Sequence, residues 1–597
     1  MRYIGNLLLT TGIASIAFVF CNGAATKSNK KESLKPASVA QSLANLNERP
    51  VETKKKAISG IVTFASSNKR YDANDTPDKQ QLELQETGWK GERINCQLLI
   101  WANEDINNVT LKASDFTGPG NSTFSAGALT YGFIKYVGAN RSGGVCGKIP
   151  DMPRIDVPDA ISPQKSIDVA AKKLQPVWIS ISIPRNTVTG TYTSKISLSA
   201  GGSNTFDDLT LRIRVNKRTL PPPTQWEFFL DISQFPLSEA RYYKLKPWSN
   251  EHFARIKPAM QRLANAGQKV VTTSFFWDPF SSKTANWGEE NLMIRIQRNN
   301  GKMTYDFTNF DKWVNFMFSL GINKQISVFG LYPFNNNFEY FYKDVGANGG
   351  ANARVQTQQK TFALMSKDYT DFWADMLRAF AKHLKEKGWM DKTVLMFDER
   401  PAKETNQIIK FAKSIDPSFR FGYGGGYHPE IMDDIDYFSI ASYLIIPADK
   451  LKQRESVGKV TAFYTCCVEK QPNLFTYSSP AEGVFMGWYA YANNYDGYQR
   501  YALDQWSPVS LTDTRHPLVP AGDNVIIYPE DYTSVRFEKL VEGIQDFEKL
   551  LVLQKELSGE KASRLQAILI KFQRTNVKSI DDYKALVELA QSYINSL

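Results

Sequence analysis

Between about residues 56 and 217, the chain consists of short segments in which apolar and polar residues alternate. Three examples are INCQLLIWA at 94–102, VWISISI at 177–183 and LTLRIRV at 209–215. Alternation with a period of two places the apolar side chains on one face of a β-strand. Because Gly, Asn and Pro separate these segments at short intervals, the pattern predicts an antiparallel β-sandwich over residues 56–217.

The pattern changes after Pro221–Pro223, three consecutive prolines that cannot continue a regular strand. Eight short apolar runs follow, with segments of helical periodicity between several of them. The runs are WEFFLDI (226–232), KVVTTSFF (269–276), QISVFGLY (325–332), TVLMF (393–397), FRFGYG (419–424), IDYFSIA (435–441), KVTAFYT (459–465) and GYQRYALDQW (497–506). Such an order is typical of a (β/α)8 barrel. We therefore predict a multidomain β plus α/β fold: the N-terminal β-sandwich, a TIM-type (β/α)8 barrel over residues 224–535, and C-terminal amphipathic helices over residues 536–597.

The first 25 residues have the pattern of a secretory signal peptide. A basic residue precedes an apolar stretch at Leu7–Phe20, which is too short to span a bilayer comfortably. Cys21 ends this stretch, where a bacterial lipoprotein carries its lipid, and cleavage after Gly23 or Ala25 is the alternative. Both alternatives predict export, either to the periplasm or as a lipoprotein of the outer membrane or cell surface. Membrane contact is expected only through such an anchor.

Residues 26–55 are polar and rich in lysine, which predicts a flexible linker. Export permits disulfide bonds. We expect Cys96 to be able to pair with Cys146. The neighbours Cys466 and Cys467 would need a strained ring to bond to each other, so we interpret both as buried thiols.

Composition excludes several classes of function. The net charge is +11, but Lys and Arg are scattered without a basic run or a nucleic-acid-binding motif. The four histidines form no metal-binding spacing, so we predict no metal, no cofactor and no nucleic-acid partner. The many aromatic residues suit large cores or platforms on which a ligand stacks.

Candidate chemistry lies in TVLMFDERPAKE at 393–404, where Asp398 and Glu399 end the predicted fourth strand. Active sites of this barrel lie at the carboxyl ends of its strands. Neighbouring strand residues face opposite sides, but Arg400-Pro401 interrupts the strand, so both acids can reach the mouth. Paired carboxylates there are typical of glycoside hydrolases. The alternative is a solvated strand end in which Arg400 neutralises the acids.

The second carboxylate of the usual retaining mechanism is missing from strand seven, since FYTCCVEKQPN (463–473) has no acid before Glu469. A substrate-assisted mechanism needs no such nucleophile, because the 2-acetamido group of an N-acetylhexosamine attacks the anomeric carbon. In that mechanism Asp398 would orient the acetamido group, and Glu399 would act first as acid and then as base.

Four segments resemble glycoside hydrolase family 123: VLMFDERP (394–401), FYTCCVEKQPNLFTYSSP (463–480), GWYAYANNYDGYQRYALDQW (487–506) and SVRFEKLVEGIQDFEKL (534–550). The resemblance implies a sandwich followed by a barrel and exo-β-N-acetylgalactosaminidase activity. It also implies that Asp398 stabilises the acetamido group and that Glu399 is the acid/base. Family members commonly read Asp-Glu-Pro, whereas Arg400 intervenes here, and it is expected to shift the loop or to keep Glu399 ionised.

A sugar ring needs an aromatic floor, and the acetamido carbonyl needs a donor. Trp277 and Trp506 are candidates for the floor, and Tyr423 and Tyr464 for the donor, although a buried core aromatic is an equally good interpretation of each.

The expected function is that of a retaining exo-β-N-acetylhexosaminidase, with N-acetylgalactosamine favoured by the resemblance. The expected substrate is a terminal β-linked N-acetylhexosamine of glycolipid or glycoprotein glycans. The alternatives are a non-catalytic glycan-binding surface protein on the same fold and a barrel glycosidase of another specificity.

Overall fold

The computed structural model describes residues 56–201, 204–276, 291–299, 301–332, 338–345, 354–360, 363–579 and 582–597. Its first half is β-structure. The strands are β1 Lys56–Ala57, β2 Gly60–Ala65, β3 Glu83–Lys90, β4 Arg93–Ala102, β5 Ile106–Ala113, β6 Phe116–Thr117, β7 Thr123–Phe124, β8 Leu129–Ala139, β9 Ile155–Ile161, β10 Ser166–Val169, β11 Gln175–Ser182, β12 Gly190–Ala200, β13 Asn204–Thr205 and β14 Leu209–Thr219.

These strands form two sheets around an apolar core, as the alternation predicts. One sheet has the order β2-β4-β11-β8-β9, and the other is built around β12 and β14. Inward-facing residues of both sheets, such as Leu98, Ile179 and Ile196, are fully buried. Most pairs are antiparallel, but β14 pairs with β3, and β1 with β13, in parallel, which alternation along single strands cannot reveal.

The second half has strands β15 Phe229–Ile232, β16 Val270–Ser274, β17 Arg295–Asn299, β18 Lys302–Asp306, β19 Gln325–Phe329, β20 Phe338–Val345, β21 Arg354–Lys360, β22 Thr393–Asp398, β23 Arg420–Gly425, β24 Ile435–Ala441, β25 Val460–Tyr464, β26 Gly497–Arg500 and β27 Thr533–Ser534. Its helices are α1 Pro236–Tyr243, α2 Asn250–Asn265, α3 Thr308–Ser319, α4 Lys367–Lys387, α5 Ala402–Ile415, α6 Pro429–Met432, α7 Ala448–Ser456, α8 Pro480–Ala492, α9 Val535–Glu556, α10 Gly559–Lys571 and α11 Tyr583–Ser596.

The eight predicted barrel strands are confirmed, and they pair in parallel in the order β15-β26-β25-β24-β23-β22-β19-β16. The barrel is nearly closed, because an isolated parallel bridge joins Leu230 of β15 to Gln268, which lies just before β16. Phe329, Met396 and Tyr437 fill its interior. Asp398 therefore ends strand four at the carboxyl end of the barrel, as predicted.

The four-stranded sheet β18-β17-β20-β21 is an addition that the sequence analysis did not predict. Its strands β17 and β18 follow β16, and β20 and β21 follow β19. It interrupts the simple alternation of strand and helix in this part of the barrel.

Helices α8 and α9 pack closely because glycines meet at their crossing. A Cβ atom on Gly487 would lie 1.9 Å from the carbonyl oxygen of Gly543, which no real side chain tolerates. Within the described ranges, no helix is long and apolar enough to cross a membrane.

The cysteine pairing differs from the expected one. Cys146, in the loop after β8, is bonded to Cys467, in the loop after β25, whereas Cys96 is a buried free thiol of the sandwich core and Cys466 is also free. The interpretation of Cys467 as a buried thiol was therefore wrong. The partners lie 321 residues apart, so no local sequence pattern identifies them.

Candidate active site

The two adjacent carboxylates diverge because the chain turns sharply at Glu399. Its φ of 49° lies in the left-handed region, which a non-glycine residue rarely adopts. Its backbone N–H donates to the carbonyl oxygen of Gly424 on β23, at 2.8 Å. The turn lets Asp398 stay in register with Gly424 on the inner face, while Glu399 leaves the strand and is exposed at the mouth.

Two hydrogen bonds hold this turn from within the barrel. The Nε of Arg400 donates to the carbonyl oxygen of Asp398 at 2.9 Å, and the hydroxyl of Tyr423 donates to the carbonyl oxygen of Arg400 at 2.8 Å. Tyr423 is buried, and its hydroxyl proton is committed to the backbone. The structure thus places this predicted substrate donor beneath the turn at Glu399, which it supports.

The Asp398 carboxylate lies over Gly424 and accepts no hydrogen bond from any described residue. A Cβ atom on Gly424 would lie 3.2 Å from its Oδ1, so the glycine leaves room for the carboxylate. Burial, followed by the charge of Glu399, raises the pKa of Asp398 to about 7, although the charge of Arg400 opposes this shift. A carboxylate without protein donors can accept a donor from a ligand.

Glu399 is held by Tyr464, the last residue of β25, whose hydroxyl donates to Oε1 at 2.6 Å. Burial, followed by the charge and hydrogen bond of Glu399, raises the pKa of Tyr464 above its usual range, so the hydroxyl keeps its proton. This contact fixes the position of Glu399 across the mouth.

Arg400 lies toward strand three, and its guanidinium is 5.5 Å from the ring centre of Tyr332. Its positive charge opposes the rise in the pKa of Asp398 that burial and the charge of Glu399 cause. The extra residue in the Asp-Glu-Arg-Pro sequence is thus accommodated by a cation–π contact on the side of the loop next to β19.

Glu469, in the loop after strand seven, belongs to a separate hydrogen-bond network. Its Oε1 accepts from the hydroxyl of Ser442, and its Oε2 accepts from the N–H of Cys466 at 3.0 Å and from the thiol at 3.4 Å. Asn473 donates to the carbonyl oxygens of Cys466 and Glu469, both at 2.8 Å, and it accepts from buried Arg500 at 2.8 Å. These contacts give Glu469 a role in shaping the loop.

The two predicted tryptophans lie in different situations. Trp277 is outside the described residues. Trp506 is 4% exposed, donates its indole N–H to the carbonyl oxygen of Ile527 at 2.9 Å, and packs edge-on against Tyr242 and Tyr243. It offers little surface on which a sugar could stack.

Sequence reasoning missed two residues at the mouth. Tyr443, after strand six, is 43% exposed, and the charge of Glu399 contributes to its raised pKa, after burial and Cys466. Gln499 lies beside Tyr464, in register with it on β26. The period-two pattern could have placed Gln499 on the inner face, but no motif distinguishes it.

The mouth therefore contains an inward carboxylate that accepts no hydrogen bond from the described residues and an outward carboxylate that is fixed by a tyrosine. The first can accept a hydrogen bond and offset a positive charge, whereas the second can exchange a proton with a group near the entrance.

Two family models match the chain. The model described as glycoside hydrolase 123, catalytic domain, matches residues 234–553, and the model for the glycoside hydrolase 123 N-terminal domain matches residues 64–200. No protein with a curated description matches the chain.

Among solved structures, the chain is similar to a family 123 glycoside hydrolase from Clostridium perfringens, described for the details of glycolipid glycan hydrolysis. The identity is 23%, the match covers 90% of this chain and 99% of that one, and the TM-score is 0.78, so the likeness shows the fold. A β-glucuronidase from Parabacteroides merdae matches 69% of this chain and 39% of its own at 9% identity, with a TM-score of 0.21 that supports no comparison.

Proposed function

Because the chain belongs to glycoside hydrolase family 123 and is a glycoside hydrolase, we propose that it is an exported, retaining exo-β-N-acetylhexosaminidase that uses substrate-assisted catalysis. The observation that carries this proposal is the division between Asp398 and Glu399. Asp398 lies inside the mouth without a hydrogen-bond donor from the described part of the chain, and Glu399 is fixed by Tyr464 at the entrance. This division fits a substrate that brings its own nucleophile.

In the first step, the carbonyl oxygen of the 2-acetamido group bonds to the anomeric carbon. The glycosidic C–O bond breaks, and the proton of Glu399 passes to the departing oxygen. The resulting oxazolinium carries a positive charge, which ionised Asp398 offsets while it accepts the amide N–H. Water then attacks the anomeric carbon and Glu399 takes a proton from it, while the bond from that carbon to the acetamido oxygen breaks and restores the 2-acetamido group. The two inversions give net retention.

Glu469 supports the need for an internal nucleophile. It is the acid of the loop after strand seven, where retaining barrels with a protein nucleophile usually place that residue. Here both of its oxygens accept hydrogen bonds, from Ser442 and Cys466. A carboxylate held in this way serves the loop rather than the substrate.

We propose terminal β-linked N-acetylgalactosamine as the substrate sugar. The support is membership of the family and the likeness to the Clostridium perfringens enzyme, which is described in connection with glycolipid glycans. Terminal N-acetylhexosamine of glycolipid or glycoprotein glycans is the corresponding substrate class.

Two observations support export. The first 25 residues have the composition of a signal peptide, and Cys21 stands where a lipid anchor would be attached. The Cys146–Cys467 disulfide is of the kind that persists in oxidising compartments. We propose a periplasmic protein or an outer-membrane or cell-surface lipoprotein.

The test is Glu399→Gln, compared with Glu386→Gln on the exposed face of α4 as the matched control. Loss of protonation typically costs about 10²–10⁴-fold, so hydrolysis of an N-acetylgalactosaminyl oligosaccharide should fall by that factor. Cleavage of an activated aryl glycoside should fall less, because its leaving group needs little protonation. If Glu399→Gln hydrolyses the oligosaccharide at the wild-type rate, Glu399 is not the acid. If the wild-type protein hydrolyses no hexosaminide, a non-catalytic glycan-binding protein is favoured.

A further inference from the structure

A gap separates strand four from strands seven and eight at the mouth of the barrel. Asp398 of β22 is in register with Gly424 of β23, and Tyr464 of β25 with Gln499 of β26. All four face inward, because Met396 and Ala462, two residues earlier on β22 and β25, lie in the interior cluster. The inward positions of β24 between them carry Ser439 and Ala441, so small side chains leave the gap open.

Gln499 faces this gap with an uncommitted amide. Its side chain makes no hydrogen bond with the described part of the chain. A Cβ atom on Gly424 would lie 3.8 Å from Oε1 of Gln499 and 3.2 Å from Oδ1 of Asp398, so these two oxygens are at most about 7 Å apart. The two ends of a glutamine amide exchange by rotation, so its NH₂ group can face the gap equally well.

The two tyrosines predicted as donors are already committed. Tyr423 donates to the backbone of Arg400, and Tyr464 donates to Glu399. If Tyr464 turned to a ligand, Glu399 would lose the contact that fixes it. Gln499 can donate without breaking any hydrogen bond among the described residues.

The dimensions of the gap fit an amide group. An amide can bridge the gap with one hydrogen bond of about 2.9 Å at its N–H and another at its carbonyl oxygen. The length of this bridge is comparable to the limit of about 7 Å between the Asp398 and Gln499 oxygens. Asp398 accepts hydrogen bonds and Gln499 can donate them, so the two residues complement the two ends of an acetamido group.

We propose that Gln499 donates from its side-chain amide to the carbonyl oxygen of the substrate's 2-acetamido group, whose N–H is held by Asp398. This assignment rests on the proposed hexosaminidase function. The two contacts fix the plane of the acetamido group, so that its oxygen points at the anomeric carbon before the bond forms. Gln499 thereby becomes a determinant of specificity for 2-acetamido sugars.

The test uses Gln499→Met, which conserves volume and removes the donor. The substrates are 4-nitrophenyl 2-acetamido-2-deoxy-β-D-galactopyranoside and its N-trifluoroacetyl counterpart, whose carbonyl is a poor acceptor. A neutral hydrogen bond is worth about 0.5–1.5 kcal/mol, so kcat/KM for the N-acetyl substrate should fall roughly 3- to 10-fold, mostly through KM. For the N-trifluoroacetyl substrate, kcat/KM should fall less than about 2-fold, because the hydrogen bond from Gln499 to that weakly accepting carbonyl is already weak in the wild type.

Gln453→Met, on the exposed face of α7, is the matched control and should change neither rate. Equal losses on both substrates, or none, would overturn the assignment of Gln499 while leaving the hexosaminidase function intact. If Gln499→Met does not fold, Gln499→Asn shortens the side chain but keeps the amide, and the same unequal losses are expected from it. A folded wild type that is inert on both substrates would overturn the proposed function and the assignment together.

Discussion

At the scale of single residues, the unusual feature is the left-handed backbone of Glu399. Two neighbouring residues of a regular strand would face opposite sides, so one acid would be lost to the active site. The φ of 49° at Glu399 costs about 1–2 kcal/mol, and bonds from Arg400 and Tyr423 hold the turn. The strained backbone at Glu399 therefore sends the two carboxylates to different places, which suits their different proposed roles.

The carboxylate pair predicts a distinctive pH dependence. Because burial and the charge of Glu399 raise the pKa of Asp398 to about 7, the pair keeps one proton up to that pH. The proposed mechanism needs that one proton, so kcat/KM should fall above about pH 7. In Asp398→Asn the falling limb should no longer lie near pH 7, because the carboxyl whose pKa is raised to about 7 is gone. Turnover should also drop, since an amide cannot offset the oxazolinium charge.

The measurement is the pH profile of kcat/KM on an activated aryl N-acetylgalactosaminide for the wild type and Asp398→Asn. Asp433→Asn, at an exposed residue between α6 and β24, provides a control for removal of one carboxylate. A falling limb at the same pH in all three proteins would contradict the coupling of the two acids.

Sequence reasoning predicted both acids and their place at the end of strand four. It could not predict which donors would remain free. Tyr423 and Tyr464 were candidates for the same role, but each has a single hydroxyl proton. Tyr423 donates its proton to the backbone of Arg400, and Tyr464 donates to the side chain of Glu399. Gln499 was missed because its importance depends on the positions of Asp398 and Gly424 across the barrel.

At the scale of elements, the loop after strand seven connects the site to the sandwich. Tyr464 precedes this loop, Cys467 bonds it to Cys146 of the sandwich, and Arg500 and Asn473 hold its backbone. The loop therefore positions the tyrosine that fixes Glu399.

Cys146→Ala and Cys467→Ala should each lower the free energy of unfolding by about 2–5 kcal/mol, and each should lower kcat because Glu399 is held less firmly. The double variant should be no less stable than either single variant, since all three lack the same bond. Denaturant unfolding and steady-state kinetics measure both effects. Losses that add in the double variant would show that the thiols act separately.

The eight barrel strands could be predicted because each is a short apolar run between turns. Helix α8 was not predicted, since nearly all of its residues are buried and PAEGVFMGWYAYA has no polar face to give a helical period. The disulfide and the sheet formed by β17, β18, β20 and β21 depend on contacts between distant segments. Local pattern contains no information about such contacts.

At the scale of the whole molecule, α9 joins the sandwich to the barrel through buried charges. Arg536 donates to Asp159 of β9 at 2.8 Å, Lys549 pairs with Glu92, and Gln545 bonds to the backbone of Arg93. Burial alone would raise the pKa of Asp159, but the charges of Arg536 and Arg70 lower it below its usual value. Amphipathic helices were predicted over residues 536–597, whereas most of the charged residues in the first half of α9 are buried.

Asp159→Asn should destabilise the protein by about 3–5 kcal/mol, because it leaves the buried guanidinium of Arg536 without its countercharge. Asp156→Asn, on the same strand but paired with Arg154 at the surface, should cost less than about 1 kcal/mol. Scanning calorimetry should show both domains unfolding in one transition. The midpoint temperature of this transition should fall in Asp159→Asn only. Equal shifts would contradict a role of this contact in joining the domains.

In the proposed mechanism the substrate supplies the nucleophile. The most direct measurement compares hydrolysis of an aryl β-N-acetylgalactosaminide with that of the aryl β-galactoside bearing the same leaving group. We expect turnover of the first, with retention of configuration, and essentially none of the second, because the plain sugar has no acetamido group for Asp398 to hold. Efficient hydrolysis of the galactoside would contradict substrate assistance, since a carboxylate of the protein would then have to attack the anomeric carbon.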